Sequence, residues 1–466
     1  MGKRIHLIGV AGTAMATLAA LLKHRGHDVS GSDEHVYPPM SDFLAAEGIE
    51  VLEGYTPDHI GAPDLVVVGN AISRGNAELE AVLDRGLRYA SLPETIRDQF
   101  LWDADAIVIA GTHGKTTTTA LTGWLLTAAG ADPTVLIGGI ARNFGSDGAS
   151  YRIGKGTAFV IEGDEYDSAY FDKTAKFLKY LPDIAVVNNI EFDHADIYAS
   201  IDEVRLAFRR LVNLVPRRGL TLLGVDSADA AALAPHARSR VQTFGLSDGA
   251  EWRGVDIRVG DASTFRVLRH GEDLGEFTMP LLGDHNVRNA LAAIAVGVDR
   301  GLALEALRAG LAAFKGVKRR LEIVGEARGV TVYDDFAHHP TAVEETLRAV
   351  RRSSPGRRVW AVFEPRSASS CRRVFQDDFA RAFAGADQVV IASVFRSTLP
   401  EEQRLSEAQL VSDLTSQGVS ARHLPDVDTI VAQVSAEARD GDRIVIMSNG
   451  GFGGIHKKLL SALEHA

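Results

Sequence analysis

The chemistry of this 466-residue chain is densest in IVIAGTHGKTTTTALTGWLL, which begins at Ile107. Gly111, Thr112, His113, Gly114, Lys115, Thr116 and Thr117 stand between an apolar run and a helix-like stretch, the setting a phosphate loop requires. Glycines let backbone amides close on phosphate, the Lys115 ammonium offsets its charge, and the Thr116 hydroxyl can ligate a divalent cation. Ile109 stands where the longer G-x-x-x-x-G-K-[ST] pattern has its first glycine. A helix start with an incidental Gly-Lys-Thr is the alternative, and the strand and helix flanks weigh against it. Lys115 reads as an exposed loop residue whose removal would spare the fold.

Two acidic clusters follow, each at the end of an apolar run. AFVIEGDEYDSAYF carries Glu162, Asp164, Glu165 and Asp167, and VVNNIEFDHADIY carries Asn189, Glu191, Asp193, His194 and Asp196. Open α/β sheets place ligands at strand ends, so two such clusters point to a site, although each alone would pass for a solvated loop. Near the N-terminus, GVAGTAM puts Gly9 and Gly12 after a strand, with Ser32 and Asp33 ending the next strand and Asn70 in VVVGNAIS. These residues could hold a diphosphate on a helix N-terminus; glycine packing and a dinucleotide site are the alternatives, but the G-x-G-x-x-G spacing is absent.

The elements that must position these residues repeat one unit: an apolar strand, a Gly-containing turn and a helix. It occurs from Arg4, from Ala104, and again through VTVYDDFAHHP, VWAVFEPRS and DRIVIMSNGGFGG. Between lies a Gly- and Asp-rich, strand-like stretch from about Gly245 to Pro280, then a helical run. The length exceeds what one core accommodates. Residues 1–101, 102–317 and 318–466 are therefore expected to form three α/β domains.

The balance of 50 Lys and Arg against 61 Asp and Glu argues against nucleic-acid binding. No membrane-length apolar segment occurs, and Cys371 is the single cysteine, so a cytoplasmic protein is expected.

GTHGKTT, the E-x-D-E-x-D run from Glu162 and the N-x-E-x-D-H-x-D-x-Y run from Asn189 together resemble the Mur ligase family. The likeness covers the whole chain in order. It implies a Rossmann-like N-terminal domain for UDP-N-acetylmuramate, a central P-loop ATPase-type domain, and a Rossmann-like C-terminal domain that binds the incoming amine and completes the ATP site. It also implies ATP and Mg²⁺, with Lys115, Glu162 and His194 catalytic and Thr116, Glu162 and His194 around the metal, Glu165 being the second acidic candidate. Gly9, Gly12, Ser32, Asp33 and Asn70 would face the UDP-sugar.

By the same likeness His285, Asn286 and Asn289 of GDHNVRNAL would contact ATP, with helix capping as the alternative, and Arg320 and Asp334 would hold phosphate and ribose. Adjacent His338 and His339 suit a site-lining or structural role better than a shared ion. Many relatives carry a carbamylated lysine about fifteen residues past the motif histidine; no lysine occurs here from Tyr180 to Phe314, and Arg209 stands near that place. The branch without it uses UDP-N-acetylmuramate. VYPPMSDFL, EPRS and MSNGGFGGIHKKLL resemble members that take the murein tripeptide, whereas those taking free alanine show Q-P-H-R-x in place of EPRS. Arg366 and Asn449 are then the peptide-binding candidates. A ligase adding free alanine, a folylpolyglutamate synthase and a nucleotide-driven regulatory protein are the other readings.

Overall fold

The computed structural model describes residues 2–37, 40–395 and 399–465. Pro38 and Pro39 of VYPPMSDFL lie outside the described residues. The chain divides into two compact units, Met1–Ile140 with Phe144–Ile190 and Asp202–Gln242, and Ala141–Asn143 with Glu191–Ile201 and Thr243–Ala466.

The first unit contains a five-stranded parallel sheet in the order Glu50–Glu53, Asp28–Asp33, Arg4–Ile8, Leu65–Val68, Tyr89–Ser91. The order reverses at Arg4–Ile8, which opens a crevice at the carboxyl ends of it and its neighbours. Gly9, Ser32 and Asn70 all stand there. A second sheet of this unit runs Leu220–Gly224, Ile184–Val187, Asp105–Ala110, Ala158–Gly163, Thr134–Ala141, with these neighbours parallel. Asp105–Ala110 is flanked by the strand that Asn188 follows and the strand that carries Glu162, so register alone brings the loop after Ala110 beside both.

In the second unit, Trp252–Val259, Ser263–Arg269 and Glu272–Met279 pair antiparallel, followed by the helix Asp284–Asp299. Its other sheet runs Glu322–Ala327, Val330–Asp335, Arg443–Met447, Val359–Phe363, Gln388–Ile391, Ser420–His423, and only the first pair is antiparallel. VWAVF shows why a parallel strand reads as unbroken apolar sequence. Val359, Ala361 and Phe363 enter one buried cluster while Trp360 and Val362 enter the other, because successive side chains alternate faces and both faces are covered. The protein is thus α/β, with Rossmann-like sheets in the N- and C-terminal parts of the sequence and an ATPase-type sheet in its middle part. Among the described residues no helix is long and apolar enough to cross a membrane.

Candidate active site

The phosphate loop joins Asp105–Ala110 to the helix Lys115–Ala128. Gly111 has φ +133°, and a Cβ there would stand 3.0 Å from both Cβ and N of Asn188, so a side chain would be strained and crowded against that backbone. The loop is held from beneath by the end of the neighbouring strand: Thr112 N donates to Asn189 O at 3.1 Å, and His113 N to Asn189 Oδ1 at 2.7 Å. Asn188 Nδ2 donates to Thr118 Oγ1 at 3.0 Å and to His113 O at 3.3 Å. Asn188 was not singled out from sequence.

Lys115 is not exposed. Its Nζ donates to Gly111 O at 2.7 Å and to both Glu165 carboxylate oxygens at 3.0 and 2.9 Å. Burial alone would lower its pKa, but Glu165, Asp164 and Glu162 outweigh that and raise it, so the ammonium stays charged. Thr117 is buried beside Thr116 in the same helix turn.

Four acidic side chains around this loop are sorted by their partners. Asp164 pairs with Lys176 at 2.6 Å and Asp167 with Lys173 at 2.6 Å, the three-residue strand Asp167–Ala169 pairing with Asp172–Ala175 to bring those lysines back. Glu165 is engaged by Lys115. Glu162 instead accepts from Thr116 Oγ1 at 3.0 Å and from Gly138 N at 2.7 Å. A hydroxyl and a carboxylate side by side are the hard oxygen donors that Mg²⁺ takes, so Thr116 and Glu162 fit that ion.

In the N-terminal sheet the glycine loop is tied down by the two residues expected to face a ligand. Gly9 N and Val10 N donate to Ser32 O at 2.8 and 3.1 Å, and Ala11 N to Asp33 Oδ2 at 2.9 Å. Gly12, Thr13 and Ala14 remain exposed at the start of the helix Thr13–His24, the end that suits an anion. Ser32 is fully buried and its hydroxyl donates to Glu78, a carboxylate with no exposure that also takes Thr56 N at 3.3 Å and meets His59 Nδ1 at 3.0 Å and His6 Nε2 at 3.5 Å. Burial pushes the Glu78 pKa up, but His6 and Ser32 more than offset it, leaving the group below its ordinary value. Asn70 Nδ2 donates to Asp167 Oδ1 at 3.1 Å, while its Oδ1 is buried without a partner.

Apart from Arg209 in the first unit, the remaining candidates belong to the second unit. His194 adopts φ +53° and follows Asp193, which accepts from Ser369 Oγ. Burial would raise the Asp193 pKa, but His194, His338 and His339 hold it well below the carboxylate range. His338 Nδ1 meets Phe336 O at 3.0 Å and His339 Nε2 meets Phe192 O at 3.1 Å, so the two rings serve separate partners.

At the start of Asp284–Asp299, Asn286 Nδ2 donates to Leu282 O at 2.8 Å and Asn289 Nδ2 to Asn286 Oδ1 at 3.1 Å, both residues being buried. His285 Nδ1 lies 3.6 Å and Arg288 Nη1 3.5 Å from Glu345, which Arg348 also engages. Burial opposes the Glu345 charge, yet His285, Arg348 and Arg288 hold its pKa down to about 2. Asp334 is met by Arg319 Nε at 3.3 Å and His456 Nε2 at 3.3 Å, and Arg319 and Arg320 lie 5.3 and 4.9 Å over the Phe336 ring. Neither Arg319 nor His456 was expected at Asp334. Arg209 is exposed on the helix Ile201–Leu214. Arg366 and Asn449 follow the ends of adjacent strands, Val359–Phe363 and Arg443–Met447.

Three family descriptions match the chain in order: "Mur ligase family, catalytic domain" over residues 4–100, "Mur ligase middle domain" over 109–297 and "Mur ligase, glutamate ligase domain" over 319–450. The chain belongs to the Mur ligase family. This Mur ligase is an amide-bond-forming enzyme, similar at 42% identity to the UDP-N-acetylmuramate–L-alanyl-γ-D-glutamyl-meso-2,6-diaminoheptandioate ligase of Haemophilus influenzae, over 99% of each chain. It is 35% identical to a UDP-N-acetylmuramate–L-alanine ligase of Salinibacter ruber over 99% of this chain and 95% of that one. Among solved structures, a murein peptide ligase of Psychrobacter arcticus superposes with a TM-score of 0.72 at 36% identity, covering 100% of this chain and 99% of that chain.

Proposed function

We propose that this Mur ligase joins L-alanyl-γ-D-glutamyl-meso-diaminopimelate to UDP-N-acetylmuramate in murein recycling, using ATP. The higher full-length identity to a ligase named for that tripeptide than to one named for alanine carries the reading. Carboxylate and amine do not condense in water because the carboxylate lacks a leaving group. Transfer of the ATP γ-phosphoryl group to the lactyl carboxylate supplies one as an acyl phosphate, and the peptide α-amine then displaces phosphate.

The chain's part is positioning and charge. The loop Gly111–Thr117 cradles the phosphates, and Lys115 leaves Glu165 for the transferring group. Thr116, Glu162 and His194 are the residues assigned to Mg²⁺, which when bound would offset charge on the phosphates. Gly9, Gly12, Ser32, Asp33 and Asn70 are assigned to the UDP-sugar, with Ser32 and Asp33 acting by fixing the loop. His285, Asn286, Asn289, Arg320 and Asp334 are assigned to ATP, and Arg366 and Asn449 to the peptide. We place the domains at 1–101, 102–317 and 318–466 and the enzyme in the cytoplasm, with no nucleic-acid, membrane or obligate protein partner.

All candidate amines present the same L-alanyl nitrogen, so only contacts remote from the reacting centre can discriminate. Competition between the tripeptide and free L-alanine at equal concentration, read as product ratio, tests the reading. Preferential ligation of the tripeptide is expected; if alanine prevails, the enzyme is the alanine ligase.

A further inference from the structure

Arg366 lies on an aromatic face. Its guanidinium carbon is 3.7 Å from the centroid of the Phe395 ring, and Phe395 is 55% exposed. Arg366 Nη1 is 3.5 Å from Glu364 Oε1, so a competing carboxylate is within reach. The guanidinium also occupies the space that a side chain at 450 would fill. A Cβ on Gly450 would stand 2.6 Å from Arg366 Cζ and nearer still to Nε and Cδ.

The turn carrying Gly450 is fixed independently. Gly450 N donates to Ser448 Oγ at 2.9 Å, and Arg319 Nη2 donates to Ser448 O and Gly450 O at 2.6 and 2.7 Å. Beside it, Asn449 Oδ1 is buried without a partner. A guanidinium stacked on a ring uses its face, while its N–H groups lie in its edge and stay able to grip a carboxylate with two hydrogen bonds.

We infer that Gly450 and Phe395 determine amine specificity by holding Arg366 as a receptor for a carboxylate of the incoming peptide; this rests on the tripeptide reading above. Without the ring, or with a methyl group at 450, the guanidinium collapses towards Glu364 and its charge is spent inside the protein. Gly450 and Phe395 are positioning residues; Arg366 makes the contact.

The experiment is steady-state kinetics of the full chain with tripeptide as the varied substrate, on Gly450→Ala, Phe395→Leu and Phe395→Tyr, each checked by thermal melting. Phe395→Leu keeps apolar bulk and loses the ring, so its tripeptide KM should rise roughly three- to thirtyfold, with kcat affected less. Phe395→Tyr should stay within about twofold of the parent because the ring is retained. Gly450→Ala should behave like the leucine variant, and if it fails to fold the leucine and tyrosine pair still decides. A parent that prefers the tripeptide, together with a leucine variant of unchanged KM, overturns this inference alone. A parent that shows no such preference removes the functional reading and this inference with it.

Discussion

Lys115 Nζ lies 2.9 Å from Glu165 Oε2, and the Glu165 side chain is only 2% exposed. The loop lysine is therefore held in place by a buried carboxylate, which phosphate would displace in the proposed reaction. Lys115→Ala should abolish phosphate release and also destabilise the fold by roughly 3 kcal/mol, because it removes the lysine partner of a buried carboxylate. Lys115→Ala with Glu165→Gln should recover most of that stability and none of the turnover. Melting and phosphate release on both variants check this, and substantial turnover in either removes Lys115 from the chemistry.

Glu162 accepts from Thr116 Oγ1 and from Gly138 N. Glu162→Gln preserves a carbonyl for these donors but loses the charge a hard cation wants. The Mg²⁺ concentration giving half-maximal phosphate release should rise at least about tenfold. An unshifted magnesium titration would take Glu162 out of the metal set.

Asn188→Ala removes the donor that ties the phosphate loop to Thr118 and the His113 carbonyl. Loss of two neutral hydrogen bonds at a buried position costs about 1–3 kcal/mol. The variant should fold, melt earlier and show a raised KM for ATP. An unchanged KM for ATP would mean the loop keeps its shape without this brace.

Glu345 titrates at about 2, against an ordinary value of 4.5. A depressed carboxylate stabilises the fold above its unfolded pKa and loses that contribution as pH falls through the folded one. The stabilising effect, roughly 3 kcal/mol at neutral pH, should fade between about pH 4.5 and pH 2. Urea unfolding of parent and Glu345→Gln at several pH values isolates it: the gap should be wide at pH 6 and nearly closed at pH 2. A gap that does not narrow contradicts the ion pairing with His285, Arg288 and Arg348.

The strand, turn and helix around Lys115 were legible because a buried parallel strand, a glycine turn and a Thr-rich helix each leave a local signature, and the stretch from Gly245 to Pro280 formed strands as expected. Partnerships across the sheet were not legible. Nothing local marks Asn188 as the brace of a loop more than seventy residues earlier. Lys115 looks exposed until the strand carrying Glu162 is folded beside it. Likewise, adjacent arginines look interchangeable in KRRLE, and only the fold shows Arg319 paired with Asp334 while both guanidiniums lie over the Phe336 ring. Asp33 and Ser32 were singled out by position, but their work of fastening the glycine loop was not legible, because it depends on backbone register.

Glu78 carries a constraint of another kind. One charge with no access to solvent meets Ser32, His59, His6 and the Thr56 amide, so no single member can drift without leaving the others unbalanced. Positions 6, 32, 59 and 78 should therefore vary as a set. A related sequence that has replaced the acid at 78 should have replaced the two histidines as well, which makes this quartet a heritable block rather than four independent choices.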